Sequence, residues 1–320
     1  MLDGWRLRTG APGRRVFEDL PQGGGGIFGG GYLVSFLGDI TLQQSTVSGN
    51  NATADVGGVG LASLYGSLLI DESTIESNQA SSYYGGVLML ANSGTLVRNT
   101  TISGNSAALG GGGFARLASA AGGNRGSINP RFEFSTITGN SASTAAGGLY
   151  ADTDMYYPAA LDLNGVVIAG NTAPVDPDLG MDPDAVVNLN YTLLGVDPTS
   201  GTVNKDTTSA ALTGADPMLG PLADNGGPTR THLPQAGSPV IDAVPAAQIG
   251  CGGPIVNDQR GQPRPVDGGC DIGSVEVQGG PGIPEIFPVP VLNRWGLLLM
   301  GGLLGLAGWL GLRRKPDGAG

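Results

Sequence analysis

The sequence is poor in charged residues, and lysine in particular is almost missing. Asp, Glu, Lys and Arg together make up 13% of the 320 residues, and lysine occurs at Lys205 and Lys315 alone. With a formal net charge of −11, the chain offers no basic face that could neutralise a phosphate backbone. We therefore expect no nucleic-acid partner.

Histidine and cysteine are also scarce. The single histidine, His232, and the two cysteines cannot supply the four ligands of a structural zinc site, and one histidine alone does not indicate a Ser-His-Asp arrangement. We expect no cofactor and no bound metal. Cys251 and Cys270 lie 19 positions apart, which suits one local disulfide in an oxidising compartment. Two free thiols are the alternative.

Glycine, in contrast, is abundant. The 58 glycines come in pairs and clusters that punctuate short apolar runs, as turns do, and they never recur at every third position. This pattern excludes collagen. Together with 22 prolines and the low charge, it also argues against a helix-rich globule.

One phrase, with the pattern Ser-Thr-Ile-x-Gly-Asn, recurs five times along the chain. The intervals between the copies are 28, 27, 35 and 31 residues, which is typical of stacked repeat units. The Thr, Val and Ile content indicates strands. The copies occupy residues 45–50, 73–78, 100–105, 135–140 and 166–171.

Every copy ends in asparagine, at Asn50, Asn78, Asn105, Asn140 and Asn171. Each unit reads as an alternating strand, a corner, a short strand ending in this asparagine, and a Gly-Gly turn with positive φ leading into another strand. Units stacked about 4.8 Å apart can pair each strand with its equivalents above and below. We predict an all-β parallel β-helix whose asparagines form a hydrogen-bonded ladder. The ladder either closes a corner or binds a ligand.

Two long units insert loops, at residues 118–130 and 152–158. Such loops are where repeat proteins place recognition. Candidate ligand contacts are Tyr83, Tyr84, Tyr156 and Tyr157. Covering a strand edge is the alternative role for these tyrosines.

The acidic residues and His232 are the candidates for catalysis. Glycoside hydrolysis needs two facing carboxylates, and lyase chemistry needs a base with calcium-binding acids. Three pairs of aspartates sit two positions apart in loops, at Asp152/Asp154, Asp176/Asp178 and Asp182/Asp184. We interpret these pairs as solvated turn residues. His232 could either make a structural hydrogen bond or act as a general base. We assign no catalytic residue and favour a non-catalytic protein.

The repeat phrase followed by Ala and Gly-Gly resembles the right-handed β-helix repeat of bacterial surface proteins, including polymorphic outer membrane protein and pectate-lyase-like groups, over residues 23–195. The resemblance implies a right-handed, pectate-lyase-like solenoid. It says little about function.

A second group of motifs resembles the choice-of-anchor Q domain. The motifs begin at Ala215 (ADPMLGPL), Asp224 (DNGGPTRTH), Gly237 (GSPVID), Asp258 (DQRG) and Cys270 (CDIGSVE). Val240 and Val275 stand where that family more often has Ala and Tyr. The resemblance implies a module that follows β-helix coils and precedes a surface anchor.

The end of the chain resembles the IPTL-CTERM sorting signal. The matching positions are Pro290, Leu292, Trp295 and Gly296, followed by an apolar stretch and by Arg313 and Arg314. The resemblance implies an exosortase-type processing enzyme as a partner. Independently, residues 295–312 form 18 positions without a charge, enough for a membrane-spanning helix with a cytoplasmic basic tail. An uncleaved tail anchor is the alternative.

We divide the chain into five segments. They are a partial N-terminal segment (1–22), parallel β-helix repeats (23–200), a choice-of-anchor Q-like domain (201–278), a linker (279–288) and a sorting or transmembrane signal with a basic tail (289–315). Residues 1–20 lack the apolar run of a signal peptide, so we expect the reading frame to extend upstream of Met1.

The predicted function is that of an exported, non-catalytic bacterial protein at the cell surface or outer membrane. Its C-terminal segment would insert into the membrane before any processing, and would anchor or sort the protein. The solenoid would act in adhesion through a glycan or cell-surface ligand. The alternative is a β-helix polysaccharide lyase or glycoside hydrolase.

Overall fold

The computed structural model of the chain describes residues 8–9, 15–17, 31–35, 39–53, 55–63, 67–91, 94–117, 130–153, 160–205 and 211–278. Over these residues the predicted all-β parallel solenoid is confirmed. No helix occurs in these ranges, and the predicted C-terminal hydrophobic helix lies outside them.

Four complete coils each contribute one strand to each of four sheets, in which the strands of the coils pair in parallel and which we number 1 to 4 in the order of the first coil. Three strands precede the coils: β1 (Arg8–Thr9), β2 (Arg15–Phe17) and β3 (Gly31–Ser35). The first coil holds β4 (Ile40–Gln43), β5 (Ser45–Ser48), β6 (Asn51–Ala52) and β7 (Val59–Ser63), and the second holds β8 (Leu68–Asp71), β9 (Thr74–Glu76), β10 (Gln79–Ala80) and β11 (Val87–Ala91). The third holds β12 (Thr95–Arg98), β13 (Thr101–Ser103), β14 (Ser106–Leu109) and β15 (Gly113–Leu117), and the fourth holds β16 (Arg131–Glu133), β17 (Thr136–Thr138), β18 (Ser141–Ala145) and β19 (Leu149–Thr153).

Seven further strands extend three of these sheets. They are β20 (Ala160–Asn164), β21 (Val167–Ile168), β22 (Leu179–Met181), β23 (Val186–Asn190), β24 (Leu193–Leu194), β25 (Thr202–Lys205) and β26 (Leu212–Thr213). β20, β23 and β25 extend sheet 1, β21, β24 and β26 extend sheet 2, and β22 extends sheet 4. β2 pairs in parallel with β5, so pairing starts before residue 23 and continues past residue 200, the two predicted limits of the coils.

Two short antiparallel ribbons follow the solenoid strands. β27 (Leu219–Ala223) pairs with β28 (Thr231–Pro234), and β29 (Val244–Pro245) pairs with β30 (Gly269–Cys270). They belong to residues 215–278, which we call the cover segment because it packs on the solenoid.

The register places similar residues above one another. In sheet 2, Ile75 pairs with Val47 on one side and with Ile102 on the other, and in sheet 1 Ile70 pairs with Leu42 and Val97. The inward column of sheet 2, which is at most 2% exposed, contains Val47, Ile75, Ile102, Ile137 and Ile168. The period of two in these strands therefore fills the interior with stacked aliphatic side chains.

The chain turns its corners with residues in the left-handed region. Positive φ values recur at three places in the coil: between sheets 1 and 2, just before the repeated asparagine, and between sheets 3 and 4. The first set is Gln44, Glu72, Asn99, Phe134, Gly165 and Tyr191, the second is Gly49, Ser77, Gly104, Gly139 and Gly170, and the third is Tyr84, Gly110, Ala146 and Asp176. The recurrence shows that these conformations belong to the coil geometry.

The prediction that the Gly-Gly pairs supply positive φ is wrong. None of the eight glycines in the four described pairs has a positive φ. A Cβ on Gly86 would overlap the carbonyl oxygen of Gly112 and would lie 3.0 Å from Nδ2 of Asn105. Glycine is required here because the backbones of successive coils approach too closely for any side chain. Sequence analysis also missed the short strands of sheet 3, which follow the first four of the five repeated asparagines.

Candidate functional site

The five repeated asparagines form a continuous ladder inside the corner between sheets 2 and 3. Oδ1 of Asn78 accepts hydrogen bonds from the backbone nitrogen and from Nδ2 of Asn50, at 3.1 and 2.9 Å. Nδ2 of Asn78 donates to Oδ1 of Asn105 at 2.9 Å and to the carbonyl oxygen of Val47 at 3.0 Å. Asn105 and Asn140 repeat this pattern. Since an amide has two N–H groups and two lone pairs, the ladder uses the full capacity of Asn78.

Asp178 terminates the ladder. Its Oδ1 accepts the backbone nitrogen of Asn171 at 3.0 Å and Nδ2 of Asn171 at 2.9 Å. A carboxylate accepts hydrogen bonds but donates none, so the ladder cannot continue past it. Burial raises the pKa of Asp178, and the two hydrogen bonds from Asn171 oppose that rise.

The interpretation of Asp176 and Asp178 as solvated turn residues is wrong, because both are buried. Asp176 accepts hydrogen bonds from the backbone nitrogen and Oγ1 of Thr199, at 2.8 and 3.2 Å. Asp178 stands where the earlier coils have the second glycine of the pair, since the backbone nitrogen of Leu149 donates to its carbonyl oxygen. The break in the Gly-Gly pattern at the fifth repeat was the sequence signal for this change.

Replacing a central ladder residue is expected to destabilise the whole solenoid. Asn105→Ala leaves the backbone nitrogen and Nδ2 of Asn78 without their acceptor, so we expect a loss of about 3 kcal/mol in the free energy of unfolding. Urea unfolding measures this loss. The control is Asn51→Ala, which removes an exposed amide beside the same corner and should change stability by less than about 0.5 kcal/mol. Equal losses in both variants would show that the ladder carries no stability.

The cover segment packs on the outer face of sheet 2 through polar contacts. Oγ1 of Thr101 donates to Oε1 of Gln259 at 2.7 Å, and the backbone nitrogen of Ser274 donates to Oγ1 of Thr136 at 3.0 Å. Nε2 of Gln259 donates to Oγ1 of Thr74 at 3.0 Å. The outward threonine of the repeat phrase is therefore a buried contact in three successive coils. Gln259 and Ser274 lie in the motifs DQRG and CDIGSVE, but sequence analysis did not predict their contacts with the solenoid.

His232 belongs to this interface. Its Nδ1 lies 2.7 Å from the carbonyl oxygen of Gly220, and its Nε2 lies 2.8 Å from Oγ of Ser103. The carbonyl can only accept, so Nδ1 carries the proton and Nε2 accepts from the serine hydroxyl. Burial lowers the pKa of His232. The ring is thus held neutral between two partners, as a structural hydrogen-bonding group would be.

The other half of the interface is apolar and contains the two cysteines. Cys251 and Cys270 form a disulfide with a Cα–Cα distance of 6.0 Å, and both are fully buried. They pack in one cluster with the corner residues Phe134 and Tyr191 of the solenoid. The disulfide therefore links two parts of the cover segment at the place where it meets the coils.

A group of buried charges lies next to this cluster. Nε of Arg264 lies 3.0 Å from Oε2 of Glu276, both side chains are 0% exposed, and the guanidinium carbon is 4.4 Å from the centre of the Phe134 ring. Oε1 and Oε2 of Glu276 also accept the backbone nitrogens of Val266 and Asp271, both at 2.9 Å. Burial raises the pKa of Glu276 to about 7, against the opposing charge of Arg264.

The contribution of Glu276 to the stability of the fold should fall as the pH rises from about 4.5 to about 7. In this window the folded protein keeps a proton on Glu276 that the unfolded chain has lost, so raising the pH favours unfolding. Glu276→Gln stays neutral at every pH. It should therefore remove up to about 3 kcal/mol of the change in the free energy of unfolding between these two pH values. The measurement is urea unfolding at several pH values, and the slope, rather than the absolute stability, is the readout.

Asp55→Asn, a change at an exposed acid of the first coil, is the control for this experiment and should keep the wild-type slope. An unchanged slope in Glu276→Gln would contradict the assignment of the proton to Glu276.

On the outer face of sheet 1, described residues line an open polar groove of about 330 Å³. Alternation places Leu163 and Leu189 inside the coil, and the intervening residues of β20 and β23 outside it. The lining residues are Arg131, Asp162, Asn164, Asn188, Asn190, Asn204 and Lys205. The alternating sequences Leu-Asp-Leu-Asn and Val-Asn-Leu-Asn carried the signal for this face, which sequence analysis did not use.

The carboxamides of the groove are bonded along the stack in two parallel rows. Nδ2 of Asn188 donates to Oδ1 of Asp162 at 2.7 Å, and Nδ2 of Asn204 donates to Oδ1 of Asn188 at 2.9 Å. In the second row, Nδ2 of Asn190 donates to Oδ1 of Asn164 at 2.8 Å. The rows hold the amides in a fixed orientation on a rigid sheet.

The cations of the groove have acidic partners. Nε of Arg131 lies 3.1 Å from Oε1 of Glu133, and Nζ of Lys205 lies 2.6 Å from Oδ2 of Asp197. Burial raises the pKa of Glu133, and the charge of Arg131 opposes that rise. Among the described residues, the two cations of the groove are thus balanced by these two acids.

The tyrosines proposed as ligand contacts divide into two groups. Tyr83 is 46% exposed and its ring centre lies 5.6 Å from that of Tyr84, which packs on the buried Val56 and Leu88 beside sheet 4. Tyr84 therefore packs against the face of sheet 4, whereas the predicted alternative to ligand contact was the cover of a strand edge. Tyr156 and Tyr157 lie outside the described residues.

The remaining candidate acids do not converge on a shared site in the described part of the chain. Asp182 accepts a hydrogen bond from the hydroxyl of Tyr150 at 2.6 Å, and burial raises the pKa of that tyrosine. Asp152 is half-buried at the end of β19, Asp184 is exposed in a turn, and Asp154 is not described. Among the described residues, no group of three or more His, Cys, Asp or Glu side chains could hold a metal ion.

The sorting residues Pro290, Leu292, Trp295, Gly296, Arg313 and Arg314 lie outside the described residues. Where the chain is described, no helix is long and apolar enough to cross a membrane.

Comparison with known proteins identifies the end of the chain. Residues 287–314 match the IPTL-CTERM motif, so the resemblance seen there is confirmed. No curated protein matches the chain, and no solved structure matches it. The resemblance of residues 201–278 to the choice-of-anchor Q domain stays a prediction. The IPTL-CTERM motif implies a C-terminal sorting signal, of the kind that exosortase-type enzymes process, in a protein that is exported to the cell surface.

Proposed function

We propose that this chain is a surface-displayed adhesion protein whose solenoid binds extracellular glycan in the groove of sheet 1. The observation that carries the proposal is the open face of oriented carboxamides on sheet 1. The sorting signal supports it, because it directs such a face to the outside of the cell.

The chemistry of the groove suits a ligand rich in hydroxyl groups. A hydroxyl both donates and accepts, and a carboxamide offers both functions side by side. Within its row, Asn188 uses one N–H and one lone pair, so the amide keeps a donor and an acceptor for a ligand. Side chains on strands are held more precisely than side chains on loops, which favours recognition without rearrangement.

Polysaccharide cleavage is less well supported by this groove. Hydrolysis needs two carboxylates on opposite sides of the scissile bond, and the described lining residues include one, Asp162. That carboxylate accepts a hydrogen bond from Asn188. We therefore retain binding, and not catalysis, as the function of this face.

The other segments have roles that fit display. We propose that the coils are right-handed, as connections between parallel strands nearly always are. The cover segment would correspond to the choice-of-anchor Q-like domain, and residues 279–288 would be the linker to the signal. Residues 295–312 would insert into the membrane, with Arg313 and Arg314 on the cytoplasmic side, until an exosortase-type enzyme releases the protein.

Processing is tested by the intact mass of the protein recovered from the surface of its own cells. We expect the surface form to have lost the residues that follow the motif around Pro290. Trp295→Ala should leave a full-length precursor in the membrane fraction, because it removes a motif residue, whereas the matched control Trp309→Ala should be processed. A wild-type protein of full length in the inner membrane would instead identify the tail as an uncleaved anchor.

Binding is tested with the purified protein and extracellular polysaccharide from the same cells. The double variant Asn188→Ala/Asn204→Ala removes groove carboxamides, and we expect it to bind at least about tenfold more weakly in a pull-down titration. Asn51→Ala removes an exposed carboxamide from sheet 3 and should bind like the wild type. Equal binding by both variants would exclude the groove as the site.

A further inference from the structure

The groove is longer along the stack than across it. Its lining residues come from four successive strands of sheet 1: β16, β20, β23 and β25. Because neighbouring parallel strands lie about 4.8 Å apart, the four strands span about 14 Å along the solenoid axis. Across the sheet the groove is two outward residues wide, or about 7 Å.

The polar groups repeat along this same axis. Asp162, Asn188 and Asn204 occupy equivalent register positions in three adjacent strands, and Asn164 and Asn190 are equivalent in two. One step of this repeat is close to the length of one pyranose unit in an extended polysaccharide. A linear glycan that lies along the axis would therefore meet a similar set of donors and acceptors at each successive sugar.

The charges of the groove indicate which class of glycan it accepts. The two described lining cations, Arg131 and Lys205, are paired with Glu133 and Asp197. An anionic polysaccharide would have to displace these acids and would also meet a chain of net charge −11. A neutral polysaccharide meets neither obstacle.

Resting on the proposed function, we infer that the groove binds a neutral, linear polysaccharide segment that runs parallel to the solenoid axis over the strands β16, β20, β23 and β25. The two rows of carboxamides provide the hydrogen bonds, and the coil spacing sets the register of the sugars. Arg131 and Lys205 contact hydroxyl groups and not acidic groups of the ligand.

The test is calorimetric titration of the full-length protein with two series of oligosaccharides, one neutral and β-linked and one of galacturonic acid, from one sugar upward. For the neutral series we expect affinity to rise with each added sugar up to about four units, the number of strands in the groove, and then to level off. The affinity should change less than about twofold when the ionic strength is raised, because no net charge is neutralised. Asn188→Ala, in the middle of the longer row, should weaken the four-sugar ligand by about tenfold.

Three results would overturn the inference. Tighter binding of the galacturonic series, with an affinity that falls steeply with salt, would show an anionic ligand and would leave the proposed glycan-binding function intact. A neutral ligand whose affinity does not depend on its length would show that it does not follow the axis. If neither series binds while the polysaccharide from the cells binds in the pull-down, the ligand class is wrong; if that preparation also fails to bind, the proposed function itself is wrong.

Discussion

In-register parallel stacking is the constraint on which the rest of this structure depends. Each strand takes its backbone hydrogen bonds from its equivalents in the coils above and below, so a residue and its counterparts form a column at about 4.8 Å. Each side chain must therefore pack against, or hydrogen-bond to, a nearly identical side chain in the coil above and in the coil below. The column of Ile75 meets this condition by dispersion, that of Asn78 by paired amides, and that of Gly86 by having no side chain at all.

A periodic stack needs different chemistry where the period stops and where a face is covered. The ladder stops at Asp178, whose carboxylate accepts two hydrogen bonds from Asn171 and has no N–H to donate to a further residue. The face of sheet 2 is closed by the cover segment, whose Gln259 and Ser274 match the threonine column of the repeat. The cover segment packs on sheet 2, whereas polar residues of the outer face of sheet 1 line the open groove.

The sequence predicted those parts of the fold that a single coil encodes locally. The period of two around Ile70, the corner asparagines and the stacked architecture followed from spacing alone. The strands of sheet 3 were missed because two residues such as Asn51 and Ala52 have no measurable period. The predicted reason for the Gly-Gly pairs, a turn with positive φ, was wrong. Glycine is needed because a Cβ would overlap the backbone of the next coil. Contacts such as that of Thr101 with Gln259 join residues 158 positions apart and leave no local signal.

Asparagines stack in register both inside the coil and on its outer face. Whether the stacked amides are buried or exposed decides how many of their hydrogen-bonding groups remain unused. Inside, Asn78 is enclosed by its neighbours and by a backbone carbonyl, so all of its hydrogen-bonding capacity is used within the protein. Outside, Asn188 also has a neighbour on each side along the axis, but no backbone carbonyl in the described part of the chain takes its second N–H, so one N–H and one lone pair of the amide are not used within the row. A ladder that only holds a coil together when buried becomes, when exposed, a regular array of donors and acceptors. This is the physical reason why we propose recognition on sheet 1 rather than on the asparagines that define the repeat.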